Sequence, residues 1–441
     1  MKTGKLLLKG NIRLLSPALI GSGTDESTDM DLIRDSEGKP YIPATSFIGV
    51  LRSKFYHLQH QDFYRELYQY FWGFTEDKNA QQSAIYCKDL YTLDEVSIAI
   101  RDGIAIDNSK GTAKERAKFN YEVIEPNCLF NLEMEVDLIE GYEKDFKNLV
   151  GNIVELLKSG DLRIGAKTRN GLGRIQLENE QIYEFDFKKS EHIVKWLKGE
   201  LPEPLKLDIE PLLVSPKTFT ISAEFLIKNS LIVRSYTGDP LEPDAVHISS
   251  VNKPILPGSS IKGAIKARAE RILNTLGKSS KLINELFGYV DETKNLARRG
   301  KVLIEETILP DYPSEVQTRI KIDRLTGGVI GSALLETMPL FNSKKERPFK
   351  IEIRISDYKP HEAGLMLLIL KDLWTGDLPI GGEKSIGRGV LKGKKAEIHF
   401  DGKKITIENP ATDLKGESGQ ELQNFVNQLL NYKEVNNAAS G

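Results

Sequence analysis

The sequence predicts an α+β protein of two tandem ferredoxin-like domains. Three observations carry this: the chain repeats itself, its strands alternate with period two, and helices separate them in the order β-α-β-β-α-β. SGDLRIG at Ser159–Gly165 returns 216 residues later as TGDLPIG at Thr375–Gly381, and each copy runs on into a Gly-x-Gly pair, Gly171/Gly173 and Gly387/Gly389. The same offset carries IAIDNSKGT (Ile104–Thr112) onto IKIDRLTGG (Ile320–Gly328), placing Asp107 on Asp323 and Gly111 on Gly327. Phe71-Trp72-Gly73 meets Leu286-Phe287-Gly288 at 215, and YIPATSFIG meets ILPGSSIKG at 214. Four anchors in one order and at nearly one spacing are not chance.

Each copy opens with strand, loop and strand, followed by a proline-led helix starting near Ser46 or Ser260. Phe130, Leu132, Met134, Val136 and Leu138 alternate with Asn131, Glu133, Glu135 and Asp137, the pattern of a half-buried strand, and FKIEIRI (Phe349–Ile355) repeats it. A helix follows each, Tyr142–Lys158 and His361–Trp374, then a Gly-rich turn and a closing strand, Gly173–Glu178 and Gly389–Lys394. These place the first repeat at 1–200, a linker at 201–217 whose four prolines favour extended backbone, and the second repeat at 218–408. Residues 409–441 read as a polar C-terminal tail with a short helix around Glu421–Leu430.

The 441 residues are 40% hydrophobic and 28% charged, which excludes disordered and collagen-like classes. The longest apolar run, Leu365–Leu370, is too short to span a bilayer, and MKTGKLLLKGN lacks the apolar core of a signal peptide. A soluble, cytoplasmic protein with no membrane partner is expected. Cys87 and Cys128 are far apart and form no CxxC pair, so neither a disulfide framework nor a four-ligand zinc site is available to them. With 61 Lys plus Arg against 63 Asp plus Glu, the net charge is −2, and any polyanion must be held by local basic surfaces.

Three segments offer chemistry. In LPGSSIKGAIKARAERIL (Leu256–Leu273), Ser259 or Ser260 suits an N-cap, and Ile261, Ile265, Ile272 and Leu273 form a buried stripe. Lys262 and Lys266 share another face near a helix start, where free N–H groups favour a phosphate. A capped, solvated surface helix is the simpler account of that segment alone. The Gly-rich stretches GAKTRNGLGR and GGEKSIGRG let backbone approach a ligand while Lys167, Arg169, Arg174, Lys384 and Arg388 supply charge. A basic turn at one place in both copies favours function over a plain turn. Acidic residues gather in two loops: Asp25, Glu26, Asp29 and Asp31 in the first copy, and Asp239, Glu242, Asp244 and then His247 in the second. They lack EF-hand spacing, so a solvated acidic loop competes with a divalent-cation site.

Taken together, L/I-P-G-S-S-x-K-G opening a helix, an FG step after it, IDRLTGG before a central hairpin, and the Gly-rich loop resemble the RAMP superfamily. The likeness is to the backbone subunits of type III CRISPR effector complexes, in the fused two-repeat form of type III-D-like systems. The second copy matches the pattern closely, whereas the first has Ala44 and Ile48 where the family has Gly and Lys. The resemblance implies RRM-like RAMP domains with loop and thumb-hairpin insertions that hold a crRNA guide. It names Ser259, Ser260, Lys262, Lys266, Lys167, Arg169, Arg174, Lys384, Arg388 and Arg324 as RNA-binding residues. It also implies complementary target RNA and other type III effector subunits as partners, and a loop aspartate needed for target cleavage.

The matching aspartates are Asp29 and Asp244, 215 residues apart, with Asp31 an alternative in the first repeat and His247 an assistant in the second. RNA carries its own nucleophile, the 2′-OH. An ordinary aspartate, of pKa about 3.9, is a poor base toward it, so orienting the hydroxyl or holding Mg²⁺ at Asp29 and Asp244 is the more reasonable role. Arg34, Arg52, His247 and Lys262 are candidates to stabilise the phosphorane. The expected activity is RNA-guided endoribonuclease cleavage at one or two sites. The alternatives are a non-catalytic scaffold of the same complex and a guide-processing ribonuclease using histidine.

Overall fold

The computed structural model describes residues 1–433 except 24–27, 77–78, 109, 214–215, 237–240, 292–295 and 344. It divides into two compact units, Met1–Arg101 with Phe119–Thr168 and Leu172–Ser215, and Asp102–Lys118 with Arg169–Gly171 and Pro216–Gly441.

In the first unit the chain order is β1 (Lys2–Leu14), α1 (Ala44–Lys54), α2 (Asp62–Trp72), β2 (Ile85–Cys87), β3 (Leu129–Ile139), α3 (Glu143–Lys158) and β4 (Ile175–Asp186). The sheet runs β4-β1-β3-β2, all antiparallel, which is the ferredoxin-like order. Period-two alternation sends Leu6, Leu8, Ile12 and Leu14 of β1, with Phe130, Leu132, Met134 and Val136 of β3, into one core beneath Phe47, Leu51, Phe146 and Leu149 of the helices.

The other face of this sheet neutralises itself. Lys5 meets Glu135 at 2.5 Å, Lys9 meets Glu133 at 3.5 Å and Arg13 meets Glu178 at 2.6 Å across the strands. Trp196 of α4 (Ser190–Lys198) covers Leu7, Tyr183 and Phe185 there. Tyr86, registered with Glu135, is an aromatic ring left exposed on this face. The proline-containing stretch expected as a linker is packed down: Leu207, Leu212 and Leu213 lie against this core. Asn152 of α3 clasps it, donating to the Glu210 carbonyl at 2.9 Å and accepting from the Leu212 N–H at 2.9 Å.

The second unit repeats the plan with β5 (Thr218–Ile227), α5 (Gly258–Thr275), α6 (Lys281–Phe287), β6 (Val302–Ile304), β7 (Phe349–Ser356), α7 (Pro360–Thr375), β8 (Leu391–Phe400) and β9 (Lys403–Ile407). Its sheet order, β6-β7-β5-β8-β9, is the same with one edge strand added. The helix expected in the polar tail runs over Glu417–Asn431, and, unlike a solvated tail, it lays Leu422, Phe425 and Leu429 into this core as an i, i+3, i+7 stripe among polar neighbours. Gly364 of α7 makes room for it, since a Cβ there would stand 2.2 Å from the Phe425 carbonyl oxygen.

Each copy also carries a long hairpin, Ile98–Asp107 with Thr112–Ile124 and Gln317–Ile322 with Val329–Met338. Their turns are alike. Gly111 and Gly327 adopt positive φ and donate to the carbonyls of Asp107 (2.7 Å) and Asp323 (2.9 Å). The Asp323 side chain also accepts from the N–H groups of Leu325 and Thr326, so the repeated aspartate shapes the turn. The second hairpin joins strands Arg234–Ser235 and Ala245–His247 in a four-stranded sheet and exposes Ile320, Ile322, Leu325, Val329 and Leu334.

Candidate nucleic-acid interface

α5 begins at Gly258, and Pro257 (φ −61°, ψ 137°) is its N-cap, with no side-chain capping bond. Ser259 and Ser260 therefore lie in the first turn, not at the cap, which leaves their hydroxyls and the free N–H groups together at the helix start. A Cβ at Gly258 would stand 2.4 Å from the Ile304 carbonyl, so glycine lets the helix dock this closely. Ile261, Ile265 and Leu273 are buried as the stripe requires, and Ile272 packs at the margin.

Lys262 is half-buried, and its Nζ lies 3.4 Å from the Arg169 carbonyl. Burial, then the nearby charges of Arg169, Lys266 and Arg299, press its pKa down to about 8. Among the described residues neither Lys262 nor Lys266 makes an ion pair. Lys262 and Lys266 thus bring positive charge to a helix N-terminus. α1 differs: Ile48 carries no charge, and the Ala44 N–H at the helix start already donates to Asp89 Oδ1 at 2.7 Å. That carboxylate, 45 residues away in sequence, fills the place an anion would take.

The two Gly-rich loops share a main-chain shape. A Cβ at Gly165 or Gly381 would stand 2.2 or 2.4 Å from a carbonyl oxygen, and one at Gly173 or Gly389 1.9 or 1.8 Å from another. Gly173 and Gly389 donate to the carbonyls of Pro17 and Ser230, both at 2.7 Å. The charges do not repeat, which corrects the expectation of a basic turn at one place in both copies. At the 216-residue offset Lys167 falls on Glu383 and Leu172 on Arg388.

Lys167 lies over the rings of Phe119 (4.4 Å) and Tyr121 (4.7 Å), and burial lowers its pKa. Arg174 Nε donates to the Gly160 carbonyl at 2.5 Å. Arg388, expected on the surface, is 3% exposed and binds Glu383 and Gln317. Arg169 reaches Ser356 Oγ at 3.4 Å. Lys384 remains exposed on its loop and Arg324 at the hairpin tip. The loop cations the sequence proposed as RNA contacts are therefore largely structural, with Lys384 the exception.

The loop carboxylates are better matched. Asp29 Oδ2 accepts the Asn120 N–H at 2.9 Å and Asp244 Oδ2 accepts the Glu336 N–H at 2.8 Å, and Asn120 and Glu336 are themselves 216 residues apart on the returning hairpin strands. Both aspartates are exposed, and no bond is made by either Oδ1 among the described residues. Asp31 is buried and bonded to Thr28, so it cannot face a ligand as Asp29 can. Asp25, Glu26 and Asp239 lie outside the described residues.

His247 is corrected as an assistant. It is buried, its Nδ1 accepts the Val233 N–H at 3.2 Å, and its Nε2–H donates to the Ile255 carbonyl at 2.8 Å, while desolvation takes its pKa down to about 4. A neutral ring with both nitrogens engaged can neither shuttle a proton nor offer charge. Arg34 pairs with Glu122 at 2.8 Å, and Arg52 donates to the Gly73 carbonyl at 3.2 Å. No group of three His, Cys, Asp or Glu able to hold a metal occurs among the described residues. A single open carboxylate oxygen fits Mg²⁺ only as an ion shared with RNA phosphates, which is a common way for that ion to bind.

Two ferredoxin-like domains in tandem, each with a backbone-shaped glycine loop and a long hairpin, and one with Lys262 and Lys266 at a helix start, have the build of a duplicated nucleic-acid-binding protein. The sequence model of the RAMP superfamily matches residues 11–176 and 224–392, one stretch in each copy, and the chain belongs to that superfamily. It is a CRISPR-associated RNA-binding subunit, with crRNA and the other members of a CRISPR complex as its partners. No curated protein matches the chain. No helix among the described residues is long and apolar enough to cross a membrane.

Proposed function

We propose that this chain is a fused, two-repeat backbone subunit of a type III effector complex that holds the guide and cleaves complementary target RNA, using one loop aspartate per repeat. The observation that carries this is the matched anchoring of Asp29 and Asp244. In both copies one carboxylate oxygen is tied to a main-chain N–H of the hairpin, and the aspartate itself is exposed.

A carboxylate held at one oxygen has a fixed direction at the other, which suits it to accept a hydrogen bond from a 2′-OH and align that oxygen with the adjacent phosphorus. Mg²⁺ shared between Asp29 or Asp244 and the RNA would supply charge stabilisation at the phosphorus. The α5 start with Lys262, Lys266, Ser259 and Ser260, together with Lys384, supplies the guide-backbone contacts in this reading, and the hairpins separate target nucleotides. A guide-processing reaction by histidine has little support, since His247 is locked and His57 Nε2 is engaged with the Leu212 carbonyl at 3.0 Å.

A scaffold that does not cut is the second reading, favoured by the finding that no group of three His, Cys, Asp or Glu able to hold a metal occurs among the described residues. End-labelled target RNA incubated with the assembled complex and Mg²⁺, using wild type, Asp29→Ala, Asp244→Ala and the double variant, separates the two. Loss of one band with each single variant, with RNA binding intact and 5′-OH products in the wild type, supports cutting by both repeats. An unchanged ladder in the double variant leaves the chain a scaffold.

A further inference from the structure

The Gly-rich loop in each copy places one non-glycine residue in the left-handed region at the same position, Lys167 (φ 53°) and Glu383 (φ 57°). Their charges are opposite, yet both side chains reach the hairpin of their own copy. Lys167 Nζ lies over Phe119 and Tyr121, and those two residues flank Asn120, whose N–H holds Asp29. Glu383 binds Arg319 of the hairpin, and Arg319 Nη2 also donates to Thr337 Oγ1 at 3.1 Å. Thr337 is the counterpart of Tyr121, and it follows Glu336, whose N–H holds Asp244.

Further contacts tighten the second connection. Arg234 meets Glu383 at 2.8 Å, and Arg388 meets it at 2.6 Å while also binding Gln317 of the hairpin. Arg234 lies on the strand that pairs with Ala245–His247, immediately after Asp244. Three arginines around one buried carboxylate would repel one another if that carboxylate lost its charge.

We propose that Lys167 and Glu383 are positioning residues that latch the Gly-rich loop to the hairpin strand carrying the loop aspartate, and so fix the separation between the loop and the open oxygens of Asp29 and Asp244. The copies reach the same end by different chemistry, with a cation on two aromatic rings in the first and an anion among arginines in the second. The cutting consequence rests on the function proposed above, but the latch does not. The latch is tested first on the RNA-free full chain by hydrogen exchange at the amides of Asn120 and Glu336.

Lys167→Ala should speed exchange at Asn120 about tenfold and leave Glu336 unchanged. Glu383→Gln should do the reverse, with strand amides of β1 and β5 unaffected in both. Lys167→Arg, which keeps the cation on the rings, should restore the slow rate, and Glu383→Asp should restore it in part. In the assembled complex Lys167→Ala should slow the Asp29-dependent cut about tenfold without weakening target binding, and Lys167→Arg should recover it. Unchanged exchange at Asn120 and Glu336 overturns the latch. Faster exchange in a complex whose cuts do not depend on Asp29 or Asp244 upholds the latch and removes the cutting function instead.

Discussion

Replacing Lys262 by Met keeps the length of the side chain and removes its charge. With its pKa held at about 8 by burial and by Arg169, Lys266 and Arg299, the free protein carries this proton on about 90% of molecules at pH 7 and on about 25% at pH 8.5. An RNA phosphate set beside Lys262 would favour its charged form, so the complex keeps the proton that the free protein sheds. Wild-type affinity for guide RNA should therefore fall about fourfold between these two pH values. Lys262→Met should bind more weakly at pH 7, lose most of that pH dependence, and show a log–log salt slope shallower by about 0.7, the value of one single-strand phosphate contact.

The stability effect has the opposite sense. The folded pKa lies below the unfolded value near 10.5, so the unfolded chain binds more protons between about pH 8 and 10.5 and stability rises with pH across that window. Met, which has no charge to desolvate, should therefore stabilise the protein most below pH 8. Filter binding from pH 7 to 8.5, with thermal melts over a wider range, tests both. The same fourfold pH response in wild type and Lys262→Met would refute the assignment of this lysine to a phosphate.

Gly389→Ala should destabilise the second domain by more than about 3 kcal/mol, because the new methyl would stand 1.8 Å from the Ile380 carbonyl at a positive φ; urea unfolding monitored by Trp374 fluorescence measures it. His247→Ala should lower the melting temperature by leaving the Val233 N–H and Ile255 carbonyl unpaired, yet leave the pH profile of any cleavage unchanged between pH 5 and 8. Leu429→Ala should cost about 2–5 kcal/mol despite lying in a segment that reads as a polar tail, as a fully buried leucine does; denaturant midpoints check it.

The features legible in the sequence were those set by main-chain geometry and by period. The glycines of both loops, the Asp107/Asp323 turns and the alternation along β3 and β7 all announce themselves locally, because a positive φ or a pleat constrains residue type at a fixed spacing. What stayed hidden depended on partners far along the chain. Asp89 answers the N–H at the start of α1 from 45 residues away, Glu383 answers Arg234 and Arg319 from 149 and 64, and Phe119 lies beneath Lys167 from 48, which spacing alone does not encode. One signal was present all the same. Aligning the loops residue by residue at 216 sets Glu383 against Lys167, and a charge reversal inside a repeated shape shows that the shape, not the charge, is shared. The C-terminal helix was legible, but its docking into the core was not, because Gln and Asn outnumber its three core residues, although their i, i+3, i+7 spacing is the helical one.

The helix over Glu417–Asn431 also sets an order of events during synthesis. The first core closes once Leu212 and Leu213 have been made, but the second lacks a wall until Leu429 emerges 216 residues later. At about 5–20 residues per second that interval is about 10–40 s. Phe219 stands open on the nascent chain through nearly all of it, and Tyr358 and Phe400, which Phe425 will also cover, from the moment each is made. The half of the protein with the cationic helix start is thus the half a ribosome-bound chaperone would have to shelter, and a slow codon placed shortly before residue 417 would lengthen that exposure.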